Sequence, residues 1–251
     1  MKEFIYDLVE KSDQVHWWYR SRNKIFYKIL RNLIINKDSN ISILDFGSGN
    51  GSNLNTFSKF GKVDAYEKNL RIRNLLKKKF KKKHNVKIIK KINKKYDLII
   101  ATDVIEHIKD DFRIIKFLRN FIKDNKNVNF TEQANSGMIF MTVPAFPFLY
   151  SAKDIAAGHH RRYTKISLRK LISKSKLKIV RISYFNSILF LPLSILIMLS
   201  NFFKFNKINQ ADKAPHSFIN YILYKFFSSE KLFINKFNFF FGISLLAIIK
   251  K

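Results

Sequence analysis

Ten residues of the sequence, DIAAGHHRRY at positions 154–163, collect side chains that can move protons or hold anions. The chemically capable members are Asp154, His159, His160, Arg161, Arg162 and Tyr163. Imidazole and phenol groups can take a proton from an attacking hydroxyl, which makes His159 and Tyr163 candidate bases. Adjacent guanidinium groups can clamp a carboxylate or a phosphate, so Arg161 and Arg162 are candidate substrate-binding residues. Asp154, the acid of the same cluster, is a third candidate. The alternative is a loop before a helix that an Asp–Arg pair merely holds in place.

A second polar group follows an apolar run in YDLIIATDVIEHIKDD, residues 96–111. The pattern predicts a buried strand and then the start of a helix. Asp103, Glu106 and His107 would lie at the carboxyl edge of a parallel sheet, where open α/β folds bind ligands. His107 is either a proton acceptor at that edge or a structural histidine.

Glycine dominates a third stretch, ISILDFGSGNGSN at 41–53, which reads as a buried strand, a tight turn and a helix start. Glycines at 47, 49 and 51 permit positive φ and let a ligand approach backbone amides. The alternative is that they serve turn geometry only. A dinucleotide loop of the form G-x-G-x-x-G is excluded, since Ser52 stands where its third glycine belongs.

The spacing D-x-G-x-G-x-G resembles the first motif of class I S-adenosylmethionine-dependent methyltransferases, and DVIEHI resembles another of their motifs. The resemblance implies S-adenosyl-L-methionine as the cofactor, with the glycine loop against its methionine part. The residues implied at the cofactor are Asp45, Gly47, Ser48, Gly49, Gly51, Asp103 and Val104.

The same resemblance implies a carboxylate after the second strand, where a bidentate acceptor takes both hydroxyls of the ribose. The stretch GKVDAYEKN supplies Glu67 for that role. The acid that often follows the third strand is missing from NVKIIKKINKKYD. Adenine is therefore expected to meet a backbone carbonyl or apolar packing.

Four further stretches resemble one bacterial subgroup of these methyltransferases. They are HWWY at 16–19, VPAFPFLYSAKD at 143–154, GHHRRY at 158–163 and FGISLLA at 241–247. His160 stands where the subgroup pattern suggests an aromatic residue. The resemblance implies the reaction type more closely than it implies the acceptor.

The stretch HWWYRSRN at 16–23 predicts a helix ahead of the first strand that covers the cofactor. Trp17 and Trp18 would point roughly 100° apart, so they should not serve one surface. One indole should pack into the body while Trp18 borders the substrate, and Arg22 should reach the cofactor carboxylate. The alternative is that both indoles only anchor a terminal segment.

The predicted fold is α/β, a Rossmann-like seven-stranded sheet with helices on both faces and an antiparallel last strand. We divide the chain into a methyltransferase core with an N-terminal cap helix (1–183), a hydrophobic helical insertion (184–238) and the last strand (239–251). Strand six, LKIVRISYF, should lie beside the last strand, FFFGISLLAIIKK.

The insertion is apolar but short for a membrane span. Its longest apolar run, residues 188–199, falls below the roughly 20 residues that a spanning helix needs. Phenylalanines at 202, 203 and 205 alternate with Lys204 and Lys207, which suits a peripheral contact with anionic lipid through residues 186–236. A lid, a dimer surface and a true span stay open as alternatives.

Composition limits the remaining choices. The absence of cysteine excludes disulfides and thiolate chemistry, and no set of residues is predicted to bind a metal. We discount the net charge of +30 as a nucleic-acid signal, because lysine serves as the default surface residue in this chain. Without a signal-peptide pattern, the expected location is cytoplasmic, or peripheral on the inner face of the cell membrane.

The predicted function is methyl transfer from S-adenosyl-L-methionine to a small-molecule, glycan-precursor or lipid-linked acceptor, at oxygen in preference to nitrogen or carbon. The candidate bases are His107, His159 and Tyr163. The alternatives are a noncatalytic membrane-associated assembly factor with a vestigial cofactor pocket and an RNA methyltransferase.

Overall fold

A computed structural model describes residues 15–34, 41–124, 137–203 and 214–251 of the 251. The strands are β1 (Ile41–Phe46), β2 (Gly61–Tyr66), β3 (Val86–Ile89), β4 (Leu98–Thr102), β5 (Met138–Pro144), β6 (Lys178–Phe185) and β7 (Ser244–Lys250). The α-helices are α1 (Trp17–Leu33), α2 (Leu54–Phe57), α3 (Leu70–Lys79), α4 (Asp111–Arg119), α5 (Ala152–Ala157), α6 (Lys165–Lys174), α7 (Phe190–Phe202) and α8 (Ser217–Ser229). Short 3₁₀ turns span Ile105–His107, Pro147–Leu149 and Glu230–Leu232.

All seven strands form one sheet in the order β3-β2-β1-β4-β5-β7-β6. The pairs among β1 to β5 are parallel, and β7 runs antiparallel to both of its neighbours. This confirms the predicted Rossmann-like sheet with an antiparallel last strand. The order reverses between β1 and β4, which is where such sheets bind ligands at their carboxyl edge.

Each face of the sheet carries its own apolar core. Neighbouring residues of one strand feed opposite sides, so Ile43 joins one core and Leu44 the other. Because both faces are covered, the central strands are almost continuously apolar, as parallel strands require. One fold prediction needs correcting beside β4. Within VIEHIKDD, which was predicted to start a helix, only Ile105–His107 form a 3₁₀ turn, and the α-helix begins at Asp111, after the Asp110 cap.

Helix α1 covers one face of the sheet and is itself covered by α8. The Trp17 amide donates to Asn220 Oδ1 (2.8 Å), and Asn220 Nδ2 donates to the Val15 carbonyl (2.9 Å). Both indoles contact the ring of Phe227, Trp17 edge-on at 5.7 Å and Trp18 stacked at 5.1 Å between centroids. The prediction that the two indoles cannot serve one surface is therefore wrong, because both meet the same Phe227 ring, one edge-on and the other stacked.

The second half of the predicted insertion is built into this core. Phe227 and Ile234 are fully buried members of the core around α1. The buried carboxylate of Glu230 accepts the amides of Asn186 (2.8 Å) and Ser187 (2.7 Å), and burial raises its pKa to about 7. These bonds fix the segment just after β6.

Helix α7, in contrast, is largely exposed and carries no charged residue. Its outer side presents Leu191, Ile195, Met198 and Phe202, with 48 to 79% of each residue accessible. Within the described ranges, no helix is both long and apolar enough to cross a membrane. Lys204, Phe205 and Lys207, which the sequence assigned to a lipid contact, lie outside the described residues.

Neighbouring phenylalanines on α8 test how far the insertion belongs to the core. Replacing the buried Phe227 by Ala should lower the free energy of unfolding by about 3–5 kcal/mol, because a cavity opens beneath both indoles. Replacing Phe226, which is 61% exposed, should change it by no more than about 0.5 kcal/mol. Urea denaturation followed by tryptophan fluorescence measures both; equal losses would contradict the packing.

Candidate functional site

The glycine loop leaves the end of β1 with three residues at positive φ: Gly47 (+78°), Gly49 (+53°) and Gly51 (+77°). The amides of Gly47 and Ser48 donate to the Tyr66 carbonyl (2.9 and 3.1 Å), which ties the loop to the end of β2. A Cβ on Gly47 would lie 2.7 Å from a methyl carbon of Val104. Glycine is required at this position by both conformation and space.

Asp45, the one acidic residue of β1, is buried beneath the loop. Burial raises its pKa to about 7; the Ser48 hydroxyl opposes that rise, and the negative charge of Glu67 adds to it. Ser48 Oγ also donates to the Asp45 carbonyl (3.0 Å). Asp45 therefore lies at the base of the glycine loop and supports it from below.

Glu67 joins the loop to the start of α3. Its Oε2 accepts the Gly49 amide (3.0 Å), and its Oε1 accepts the Asn69 amide (2.8 Å). A carboxylate offers about four acceptor positions, so two remain for hydroxyl donors. Sequence reasoning missed Asn69, although a helix-capping Asn two residues beyond the acid was a readable signal.

Arg22 and Asp103 form an ion pair at the same edge. Arg22 Nη1 lies 2.5 Å from Asp103 Oδ2, and Thr142 donates to Asp103 Oδ1 (2.9 Å). Burial acts to raise the pKa of Asp103, but the charge and hydrogen bond of Arg22 outweigh it, so the pKa is lowered. Arg22 Nε is buried without a hydrogen-bond partner among the described residues. The sequence missed Thr142, whose position depends on pairing between distant strands.

Trp18 is half-buried beside this pair. One side of its ring stacks on Phe227, and the guanidinium carbon of Arg22 lies 5.9 Å from the ring centroid. The helix thus carries Trp18 and Arg22 to the same region, one turn apart. Contact of Trp18 with a substrate stays a prediction.

Asp154 is the centre of the DIAAGHHRRY loop and is 1% exposed. Its carboxylate accepts three hydrogen bonds from Arg162 (2.9–3.0 Å) and lies 2.7 Å from His159 Nδ1. It also accepts from the Ser151 amide (2.9 Å) and hydroxyl (3.1 Å). This geometry favours the alternative in which an Asp–Arg pair holds the loop, so Asp154 and Arg162 act as positioning residues.

Opposing effects set the charge of Asp154. Burial acts to raise its pKa, but the His159 hydrogen bond and the Arg162 guanidinium outweigh burial and lower the pKa to about 2. The carboxylate is therefore ionised at neutral pH. Because it can only accept hydrogen bonds, His159 Nδ1 is the donor of this contact, and Nε2 is the nitrogen turned away from Asp154.

Tyr163 and Arg161 both meet Asp111 on the other side of the loop. The Tyr163 hydroxyl donates to Asp111 Oδ2 (2.9 Å), and Arg161 Nη1 lies 2.8 Å from the same oxygen. Burial and Asp111 raise the pKa of Tyr163 well above its usual value. A phenol held in its protonated form is a poor proton acceptor, so the geometry disfavours Tyr163 as the base. Arg161, one-third exposed, keeps its predicted substrate contact as a prediction.

The remaining two base candidates face each other. The rings of His107 and His159 lie edge to face, with centroids 4.6 Å apart. Burial and the neighbouring His159 lower the pKa of His107 to about 4, so its ring is neutral near pH 7. The structure thus brings together His107 from the turn after β4 and His159 from the loop after β5.

Comparison with known proteins gives one family match and many structural likenesses. Residues 17–182 match the sequence model of a family described as a methyltransferase domain. Among curated proteins, no sequence matches the chain significantly.

Three solved structures illustrate the fold. A protein assigned as a methyltransferase from Bacillus halodurans C-125 is 12% identical, with 90% of this chain and 98% of that one covered and a TM-score of 0.56. Coclaurine N-methyltransferase bound to N-methylheliamine and SAH is 14% identical, with 90% of this chain and 72% of that one covered and a TM-score of 0.56. The [4+2]-cyclase SpnF is 10% identical, with 91% of this chain and 80% of that one covered and a TM-score of 0.52. Likenesses this distant in sequence show a shared fold.

The positioning role of Asp154 predicts a loss of stability in Asp154→Asn. The change leaves the Arg162 side chain, 8% exposed, without its counterion, and should cost about 3–5 kcal/mol of unfolding free energy near pH 7. The folded pKa lies below the ordinary value of 3.8, so the stabilisation is present above that value and is lost as pH falls toward 2. Urea denaturation at several pH values should show wild type and variant converging in acid.

Asp124→Asn is the matched control. The pKa of Asp124 is likewise lowered to about 2, through hydrogen bonds from Lys251 and Lys95, but its carboxylate is exposed. Exposed ion pairs contribute little, so its denaturation midpoint should stay close to that of wild type. A midpoint for Asp154→Asn equal to that of Asp124→Asn would contradict the positioning role.

Proposed function

Because this chain belongs to the family of methyltransferase domains, we propose that it transfers a methyl group from S-adenosyl-L-methionine to an oxygen of a small-molecule, glycan-precursor or lipid-linked acceptor. The observation that carries the proposal is the glycine loop bound through Gly49 to the carboxylate of Glu67. That arrangement combines backbone amides, space without side chains and a buried bidentate acceptor.

The described residues fit this cofactor on three counts. A side chain at Gly47 would collide with Val104, so the loop is a close-fitting cradle that only glycine permits. Glu67 retains acceptor capacity for the two ribose hydroxyls. The unpartnered Nε of Arg22 would donate to the cofactor carboxylate, in line with the predicted role of this residue.

The bound cofactor supplies a methyl group that its sulfonium already activates. The main task of the protein is then to hold donor and acceptor in a reactive geometry, which accounts for a large share of the acceleration in two-substrate reactions. In this proposal His159 Nε2 or His107 Nδ1 would accept the proton of an acceptor hydroxyl. Asp154 fixes His159 in the tautomer that this task needs.

Binding of the cofactor tests the proposal directly. Calorimetry should show S-adenosyl-L-methionine binding to the wild-type protein, and Glu67→Ala should weaken it at least tenfold. The reason is that hydrogen bonds to a charged group contribute about 1.5–3 kcal/mol and about 1.4 kcal/mol is a factor of ten. Lys68→Ala, an exposed neighbour, is the control and should bind as wild type does.

Two outcomes would contradict the cofactor site. One is the absence of heat from folded wild-type protein; the other is an equal loss in Lys68→Ala and Glu67→Ala. Because SpnF shows that this fold also hosts a cyclase, transfer itself needs a separate assay. Release of S-adenosyl-L-homocysteine in the presence of candidate acceptors supplies it.

We further propose that the exposed side of α7 rests on an anionic membrane. The patch formed by Leu191, Ile195, Met198 and Phe202 is uncharged, and the chain that carries it has a net charge of +30. Apolar contact combined with attraction to anionic headgroups is the usual basis of interfacial binding. The neighbouring Asn201 donates to the Tyr150 carbonyl (2.9 Å), so the patch lies close to the DIAAGHHRRY loop. This position would suit a lipid-linked acceptor.

Vesicle flotation tests the membrane contact. The full chain should float with vesicles containing anionic lipid and much less with neutral ones, and the triple variant Leu191→Ser/Ile195→Ser/Phe202→Ser should lose this binding. The double variant Leu70→Ser/Ile166→Ser removes equally exposed apolar residues from α3 and α6 and should float as wild type does.

Point substitutions are required here because deleting the insertion would remove Phe227 and Ile234 from the core. Unchanged flotation of the triple variant would contradict the proposal. So would a dimer in light scattering that only the triple variant abolishes, since that result would assign the patch to a second copy of the chain.

A further inference from the structure

Glu106, His107 and His159 converge at the carboxyl edge of the sheet beside the proposed cofactor loop. One ligand atom from each lies within 4.8 Å of the other two. Donors about 2.0–2.2 Å from a common ion stand roughly 3 to 4.4 Å apart, so small side-chain rotations would bring all three onto one ion. The sequence pattern did not reveal this set, because His159 lies far along the chain from the other two.

Glu106 is the most unusual member. The residue is fully buried, and both of its carboxylate oxygens lack a hydrogen-bond partner among the described residues. Burial of a polar group without a partner is costly, and native proteins rarely leave one in that condition. By contrast, the buried carboxylates of Glu67, Asp154 and Glu230 each accept at least two hydrogen bonds. Glu106 therefore has a buried carboxyl group that is available to bind a ligand.

Each imidazole has one nitrogen available to an ion. His159 holds its Nδ1 against the carboxylate of Asp154, which leaves Nε2 as the donor atom. In His107 it is Nδ1 that is buried without a hydrogen-bond partner among the described residues, so Nδ1 is the nitrogen of that ring available to an ion. A second bond from the far nitrogen to a carboxylate or carbonyl is the common arrangement around metal-bound histidine.

We propose that Glu106, His107 and His159 bind a divalent first-row transition metal. One carboxylate and two imidazoles form a set that suits Mn, Fe, Co, Ni or Zn, and two neutral nitrogen donors disfavour Mg and Ca. Three protein ligands leave at least one coordination position open. Asp154 is then a positioning residue that orients His159 toward the ion.

The open position gives the site a role that rests on the proposed function. An acceptor hydroxyl would bind there through its oxygen, and a bound cation lowers the pKa of such a group, so its proton would pass to water. With the ion bound, the lone pairs of His107 and His159 serve as ligands, and the ion replaces the two imidazoles as the activating group. The site would thus select acceptors that carry a hydroxyl able to reach the ion. Metal binding itself requires neither the cofactor nor turnover.

Metal binding is tested on the full chain without a polyhistidine tag, after removal of metals with a chelator. Zn²⁺ calorimetry should show one ion per chain, and Co²⁺ should give a visible absorption band that Zn²⁺ removes. Glu106→Gln keeps the shape of the side chain but replaces the carboxyl group, which can ionise and bind an ion, by an amide, and should weaken Zn²⁺ binding at least tenfold; His159→Ala should do the same. His160→Ala is the matched control, an exposed neighbour of His159, and should bind as wild type does.

The outcomes separate cleanly. Failure of wild type to bind Zn²⁺ or Co²⁺, unaltered binding in Glu106→Gln, or an equal loss in His160→Ala would each overturn the metal site. Calorimetry with S-adenosyl-L-methionine on the same metal-free protein reads the proposed cofactor site independently. Cofactor binding without metal binding would overturn this inference alone, whereas the reverse would overturn the cofactor site and leave the metal site standing.

Discussion

The parallel pairing of β1 with β4 is the constraint on which the site depends. It aligns Asp45 with Ile100, so the loop that leaves β1 and the turn that leaves β4 emerge side by side although about fifty residues separate them. Gly47 can then lie against Val104, and Arg22 from α1 can reach Asp103. A shift of this register by one residue would send the side chains of one strand to the opposite face of the sheet and would move the loop and the turn out of alignment.

Three carboxylates at this edge are each held in position by direct partners. Glu67 is fixed by two amides, Asp103 by a guanidinium and a hydroxyl, and Asp154 by Arg162, His159 and Ser151. Such carboxylates are expensive to bury, and they are tolerated because their partners are equally fixed. Side chains fixed in this way can hold two reactants in a reactive geometry.

The sequence could predict the local features of the candidate site, because glycine spacing, an acid after β2 and strand-end polar residues depend on local rules. The positions of Gly47, Gly51, Glu67 and Asp103 are of that kind. Tertiary contacts decided the rest. Phe227, some two hundred residues beyond the indoles, joins them on one surface, and Asp154 turns Arg162 inward. The isolation of Glu106 depends on burial from several elements, which no local pattern encodes.

The placement of β7 between β5 and β6 has a consequence for the order in which the chain is made. The outer edge of β5 must wait for a partner that is synthesised about 100 residues later, a delay of roughly 5 to 20 s at about 5–20 residues per second. Until then the growing chain carries an unpaired apolar strand edge, which is the kind of surface that associates with other chains. We expect the nascent protein to depend on protection by a chaperone until its last strand emerges from the ribosome.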